Sequence, residues 1–155
     1  MNYWLMKSEP DAFSIEALAR MPRKTAHWDG VRNFQVRNML RDQMRKGDLA
    51  FFYHSSCAVP GIVGSMKVSR AGYADFTAFA PENPHFDPRS RPEKPLWYMV
   101  DVTLVRRFPH PITLTELRHH AVLKNMLILR RGNRLSITPV TAKQWHFILK
   151  LAADT

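Results

Sequence analysis

LAFFYHSSCAVPGIVGSMKV, Leu49 to Val68, is the stretch on which the fold turns. Its first part, Leu49 to His54, is continuous, apolar and aromatic, and it predicts a buried strand. Gly61 to Val68 predicts a second strand. The paired glycines within it, Gly61 and Gly64, suit a barrel corner or a close approach between backbones. Working outward, Tyr3 to Lys7 (YWLMK) reads as a short buried strand ended by Pro10, and Trp97 to Val105 (WYMVDVTLV) as another. Arg134 to Val140 (RLSITPV) supplies a late one.

Helices fill the gaps between these strands. Ser14 suits an N-cap, with Ile15, Leu18 and Ala19 as a small apolar stripe that stops before Pro22. Asn33 can cap a second helix carrying Val36, Met39, Leu40 and Met44 at helical spacing, ended by Lys46-Gly47-Asp48. Thr113 can cap LTELRHH. Thr141 opens a final helix with a capping box to Gln144, whose buried face would be Trp145, Ile148 and Leu149. Between Pro81 and Pro95 the chain is rich in Pro, Asn and Asp without periodicity; such long loops are often functional. Short strands, few helices and non-local connections predict an α+β domain over residues 1–155, built on a small, strongly curved sheet or barrel.

Composition narrows the function. Across 155 residues, Lys and Arg number 23 against 13 Asp and Glu, a formal net charge of +10 that favours polyanionic partners. No apolar run reaches the roughly 18 residues that span a bilayer, so no membrane partner is expected. MNYWLMKSEP lacks the form of a secretion signal. Cys57 stands alone, which leaves no disulfide framework and no thiolate metal cluster, and a cytoplasmic, reduced setting follows.

Catalytic signatures are missing: there is no G-x-S-x-G, H-E-x-x-H, Walker loop or dinucleotide fingerprint. His119 and His120 are adjacent and point apart on a helix. His54 and Cys57 are near enough for a Cys–His nucleophile, though a small loop-lining cysteine is the plainer reading. No metal, cofactor or catalytic residue is therefore expected. A binding site has more support. HWDGVRNFQVRNMLR, His27 to Arg41, puts Trp28 beside Gly30 in a turn, ahead of Arg32 and Asn33. Trp28 can be a stacking wall or a core plug at the start of a helix, and position alone leans towards the core. Lys7-Ser8-Glu9 ends the first strand and Tyr53-His54-Ser55 the strand LAFFYH, where side chains leave the core and can line a mouth.

The ordered segments YWLMKSEP, WDGVRNFQVRN, GDLAFFYHS, PGIVGSMKV, PLWYMVDV and RLSITPVT resemble the EVE domain family over nearly the whole chain, about Asn2 to Leu151. The resemblance implies a fold similar to PUA domains, a small curved β-barrel or sheet flanked by short helices. It also implies a pocket for a flipped-out modified base, a modified cytosine first, in DNA or RNA. Carried over by motif, Lys7, Ser8 and Glu9 would line the mouth, Trp28 would form an aromatic wall, and Arg32 and Asn33 would face the pocket. Tyr53, His54 and Ser55 would complete it, and Trp97 would lie beside it or in the core. Two departures stand out: Tyr73-Ala74-Asp75 where relatives have Y-P-D, and His85-Phe86-Asp87-Pro88 where they have H-Y-D-P.

The expected activity is non-catalytic reading of a modified base by a monomer. A nucleotide-acting enzyme using His54 or Glu9, or a nucleoside sensor, is the alternative. On this reading Trp28→Ala should abolish discrimination between modified and unmodified bases while sparing the fold.

Overall fold

The computed structural model describes residues 1–153, so the last two residues of the expected 1–155 domain lie outside the described residues. In chain order the elements are β1 (Tyr3–Ser8), α1 (Ile15–Arg20), β2 (Thr25–His27), α2 (Phe34–Asn38), β3 (Leu49–His54), β4 (Gly61–Ala74), β5 (Tyr98–Thr113), α3 (Leu114–Arg118), β6 (Ile137–Val140) and α4 (Ala142–Ala153). The strands form one mixed sheet in the order β2-β5-β4-β3-β1-β6, parallel only between β1 and β3. The α+β class expected from the sequence is what the chain adopts. The sheet ends at β2 and β6, so it is open rather than a hydrogen-bonded barrel.

Period-two alternation explains why both faces are covered. In β1, Trp4 and Met6 enter one core and Leu5 the other; in β3, Ala50 and Phe52 oppose Phe51 and Tyr53. The first core gathers Ile15 and Leu18 of α1, Trp28, and Val36 of α2. The second is closed by α4, whose Trp145 stacks on Phe51 at 3.9 Å between ring centroids. The capping box of α4 forms as its sequence predicts: the Thr141 amide donates to Gln144 Oε1 at 3.0 Å, and the Gln144 amide to Thr141 Oγ1 at 3.1 Å.

Two long strands exceed their predicted limits. β4 runs on to Ala74 and β5 to Thr113, through Pro109 and Pro111. Their pairing jumps from Ile62↔Ile112 to Gly64↔Arg107, so residues 108–111 bulge out of the ladder, where proline's missing N–H is tolerated. Gly64 sits at this step. A Cβ there would lie 2.4 Å from the Arg106 carbonyl and 2.4 Å from Ile15 Cδ1, so the glycine marks a close backbone approach. The helix predicted from Asn33 also changes character. After α2 it continues as a π-helical turn, Met39–Gln43, closed by the Met44 amide donating to the Met39 carbonyl at 2.9 Å. The wider turn still buries Val36, Met39, Leu40 and Met44.

Candidate functional site

A cavity of about 560 Å³ opens where β1 and β2 end on the side of the first core. Lys7 and Ser8 come from the end of β1, Phe13 from the turn into α1, and Ser136 from the residue before β6. The Lys7 amide donates to the Ser136 carbonyl at 2.8 Å and the Ser55 amide to the Ser8 carbonyl at 3.0 Å, which fixes this end of the strand. Ser8 Oγ donates to the Phe13 carbonyl at 2.6 Å and holds the turn against the strand. Opposite them runs the segment from Ala26 to Arg32, with Asn83, Pro84 and His85 as a third side.

Trp28 answers both of its possible readings. It is 7% exposed and belongs to the first core, where it meets Phe52 and Phe13 edge to face at 5.4 and 6.3 Å. Its amide is anchored to the Val100 carbonyl at 2.8 Å, and it also lines the cavity. Gly30, with φ +81°, turns the chain next. A Cβ there would sit 2.6 Å from the His85 ring, so the glycine supplies both the left-handed turn and the room in which that ring lies.

The turn and the loop share one buried anchor, Asp75. Its Oδ2 accepts from the Gly30 amide at 2.9 Å and from Arg32 Nη1 at 3.1 Å; its Oδ1 accepts from the Thr77 amide and hydroxyl. Burial pushes this carboxyl's pKa up, but hydrogen bonds from Thr77, Gly30 and Arg32 outweigh it and hold the pKa below the usual value. Arg32 Nη2 donates in turn to the His85 carbonyl at 2.6 Å. One ion pair thus ties the WDG turn to the far loop.

Of the residues predicted for the site, Lys7, Ser8, Trp28 and Arg32 line this cavity. The other six do not. Glu9 is exposed outside it, its carbonyl receiving the Ala12 and Phe13 amides. Asn33 spends its side chain capping α2, accepting from the Val36 amide at 3.0 Å. Tyr53 is turned by strand alternation into the second core. His54 Nε2 accepts the Ile15 amide at 3.1 Å, and burial lowers its pKa, partly opposed by Glu16. That leaves neither His54 nor Glu9 placed for acid–base work in the cavity. Ser55 follows β3, extending its pairing with β1.

Trp97 is 2% exposed and donates from Nε1 to Asp87 at 2.8 Å. It belongs to a second cavity, of about 340 Å³, that shares Arg32, Pro84 and His85 with the first. Phe86 lines that second cavity, so the hydroxyl it lacks relative to H-Y-D-P bears there rather than on the first. Asp87 is held well below the carboxylate range by Arg89 and then by Trp97.

Several lining residues carry no individual signal in the sequence. His27 and Asp29 flank Trp28 within the quoted motif, and His85 lies in the loop flagged by its composition. Phe13 and Ser136 could be found only by folding the chain. Chemically the first cavity offers an aromatic wall, one ammonium and one carboxylate, Lys7 and Asp29. Burial lowers the pKa of Lys7. Among the described residues no group of three or more His, Cys, Asp or Glu could hold a metal, and no helix is long and apolar enough to cross a membrane.

The model of the EVE domain family matches residues 2–151. Thymocyte nuclear protein 1 of Mus musculus is 48% identical over 97% of this chain and 73% of its own length. A crystal structure of a Pseudomonas putida protein superposes with a TM-score of 0.91 at 49% identity, covering 97% of this chain and 99% of that one. The human THYN1 protein in complex with 5-methylcytosine-containing DNA gives a TM-score of 0.91 at 45% identity, covering 98% of each chain.

Proposed function

This chain belongs to the EVE domain family, and we propose that it is a non-catalytic reader of a modified cytosine in DNA, taking the base into the cavity beside Trp28. The observation that carries this reading is the human relative's complex with 5-methylcytosine-containing DNA, matched at a TM-score of 0.91 over nearly all of both chains. The chemistry of the cavity supports it. Cytosine pairs an amino donor with adjacent acceptors on one edge. Asp29 can accept from the amino group, and Lys7 can donate to the ring nitrogen or carbonyl oxygen. Trp28, Phe13 and Ala26 supply the apolar surface for the ring and its methyl group. Extruding the base costs a few kcal/mol, which phosphate contacts from the basic surface help to offset.

The protein is proposed to act as one domain and as a monomer. A cytoplasmic, reduced setting is proposed from the solitary Cys57.

Lys7→Met keeps most of the length of the side chain and removes its charge, so it tests the cavity without emptying the core. Duplexes differing only in cytosine or 5-methylcytosine at one position should separate in Kd for the native chain. In Lys7→Met the modified duplex should lose about tenfold or more in affinity, the scale of a hydrogen bond to a charged group. Equal binding of the two duplexes by the native chain would end the reading. A free nucleoside bound as tightly as the duplex, with no response to salt, would point instead to a small-molecule sensor.

A further inference from the structure

The second cavity lies next to the first, behind the wall made by Arg32, Pro84 and His85. Its lining is unusual for a surface: Phe34 and Phe86 are 49% and 38% exposed, although large apolar side chains are favoured inside. Phe34 is not loose. It stacks on Trp97 with centroids 4.6 Å apart and planes at 22°, and Trp97 is itself fixed by its bond to Asp87. Two guanidinium groups brace the pair, Arg32 at 5.3 Å from the Trp97 ring and Arg37 at 4.9 Å from Phe34. At the rim Arg89 is paired with Asp87, yet its side chain is 70% exposed and Nη1 has no hydrogen-bond partner among the described residues.

Rigid, exposed rings with a guanidinium at the rim form a platform for a nucleobase and its phosphate. Because the two cavities share a wall, a strand with one base in the first can bring a neighbouring residue to the second. We infer that the second cavity holds the base adjacent to the read base on the same strand, packed on the exposed surface of Phe34 and Phe86, and that it favours a purine there. The larger ring system covers more of the exposed aromatic surface, and stacking strength sets such preferences. Arg89 meets the phosphate of that neighbouring residue. The inference rests on the first cavity being the base pocket, and it adds a dependence on sequence context.

Both cavities can be read separately in one titration series with the full chain. Duplexes carry 5-methylcytosine or cytosine at the read position, and a purine, a pyrimidine or an abasic residue on either side. For the native chain, replacing the neighbouring purine by an abasic residue on one side should weaken binding about tenfold, the scale of one stacked base. The pyrimidine should fall between. Phe34→Ala should remove this neighbour effect while keeping the ratio between modified and unmodified cytosine. No neighbour effect in the native chain, or one that persists in Phe34→Ala, overturns the inference. A missing modified-to-unmodified ratio instead overturns the reading of the first cavity, whatever the neighbours do.

Discussion

The indole of Trp28 is wedged against Phe13 and Phe52, so removing it unpacks the first core as well as the cavity wall. Trp28→Ala should therefore destabilise the chain by about 3–5 kcal/mol, the cost of truncating a buried aromatic, visible as a lowered midpoint in urea. The expectation that this variant spares the fold does not survive the packing. Asp75 carries a second residue-scale consequence. Its folded pKa lies below the unfolded value, so the stability it contributes is complete above about pH 4 and is lost as pH falls through the folded value. Asp75→Asn should flatten that acid limb, and equal acid midpoints for the two proteins would refute the role. Lys7 and Ser8 were legible as pocket residues from their motif, and Trp28 only as wall or core. Asp75 appeared in the sequence only within the departure Tyr73-Ala74-Asp75 and not as an anchor, because its three partners lie 45, 43 and 2 positions away. No spacing rule reaches across the first two of those distances.

Elements were easier to read than their meeting points. The strand LAFFYH and the capped helices follow from local pattern, since alternation and caps act within a few residues. The site residues misplaced by sequence were lost for a non-local reason: packing and hydrogen-bond partners far along the chain take up their side chains. Tyr53 and His54 sit on β3 beside Lys7 and Ser8 of β1 in register, yet their side chains are taken up by the second core and by the α1 amide. The turn after Trp28 is different, because its sequence signal and its task coincide. Gly30 supplies the positive φ and the space for the His85 ring. Gly30→Ala should displace the 83–85 loop and lower stability by about 1–3 kcal/mol, combining left-handed strain with overpacking. Because Arg32 also holds the His85 carbonyl, the same variant should weaken binding to the modified duplex. Unchanged stability and unchanged Kd would show that the loop does not rest on the turn.

For the whole molecule, the proposed function divides the work of binding between the +10 charge and the cavity. On the proposed reading the cavity selects the base, whereas long-range attraction to phosphates is indifferent to that choice. Basic side chains stand exposed near the cavity in sequence on either side, Arg20, Arg23 and Lys24 before β2 and Arg130, Arg131 and Arg134 before Ser136. With these groups releasing counterions, log Kd should rise linearly with log salt, with a slope near 0.9 for each phosphate neutralised. The slope should be the same for cytosine and 5-methylcytosine duplexes, because the methyl group changes no charge. Reversing two of the exposed arginines, Arg131→Glu with Arg134→Glu, should flatten both lines together and leave their vertical separation intact. A separation that closes as the slope falls would mean that these charges hold the base itself, and the division between a selective cavity and a neutral electrostatic grip would fail.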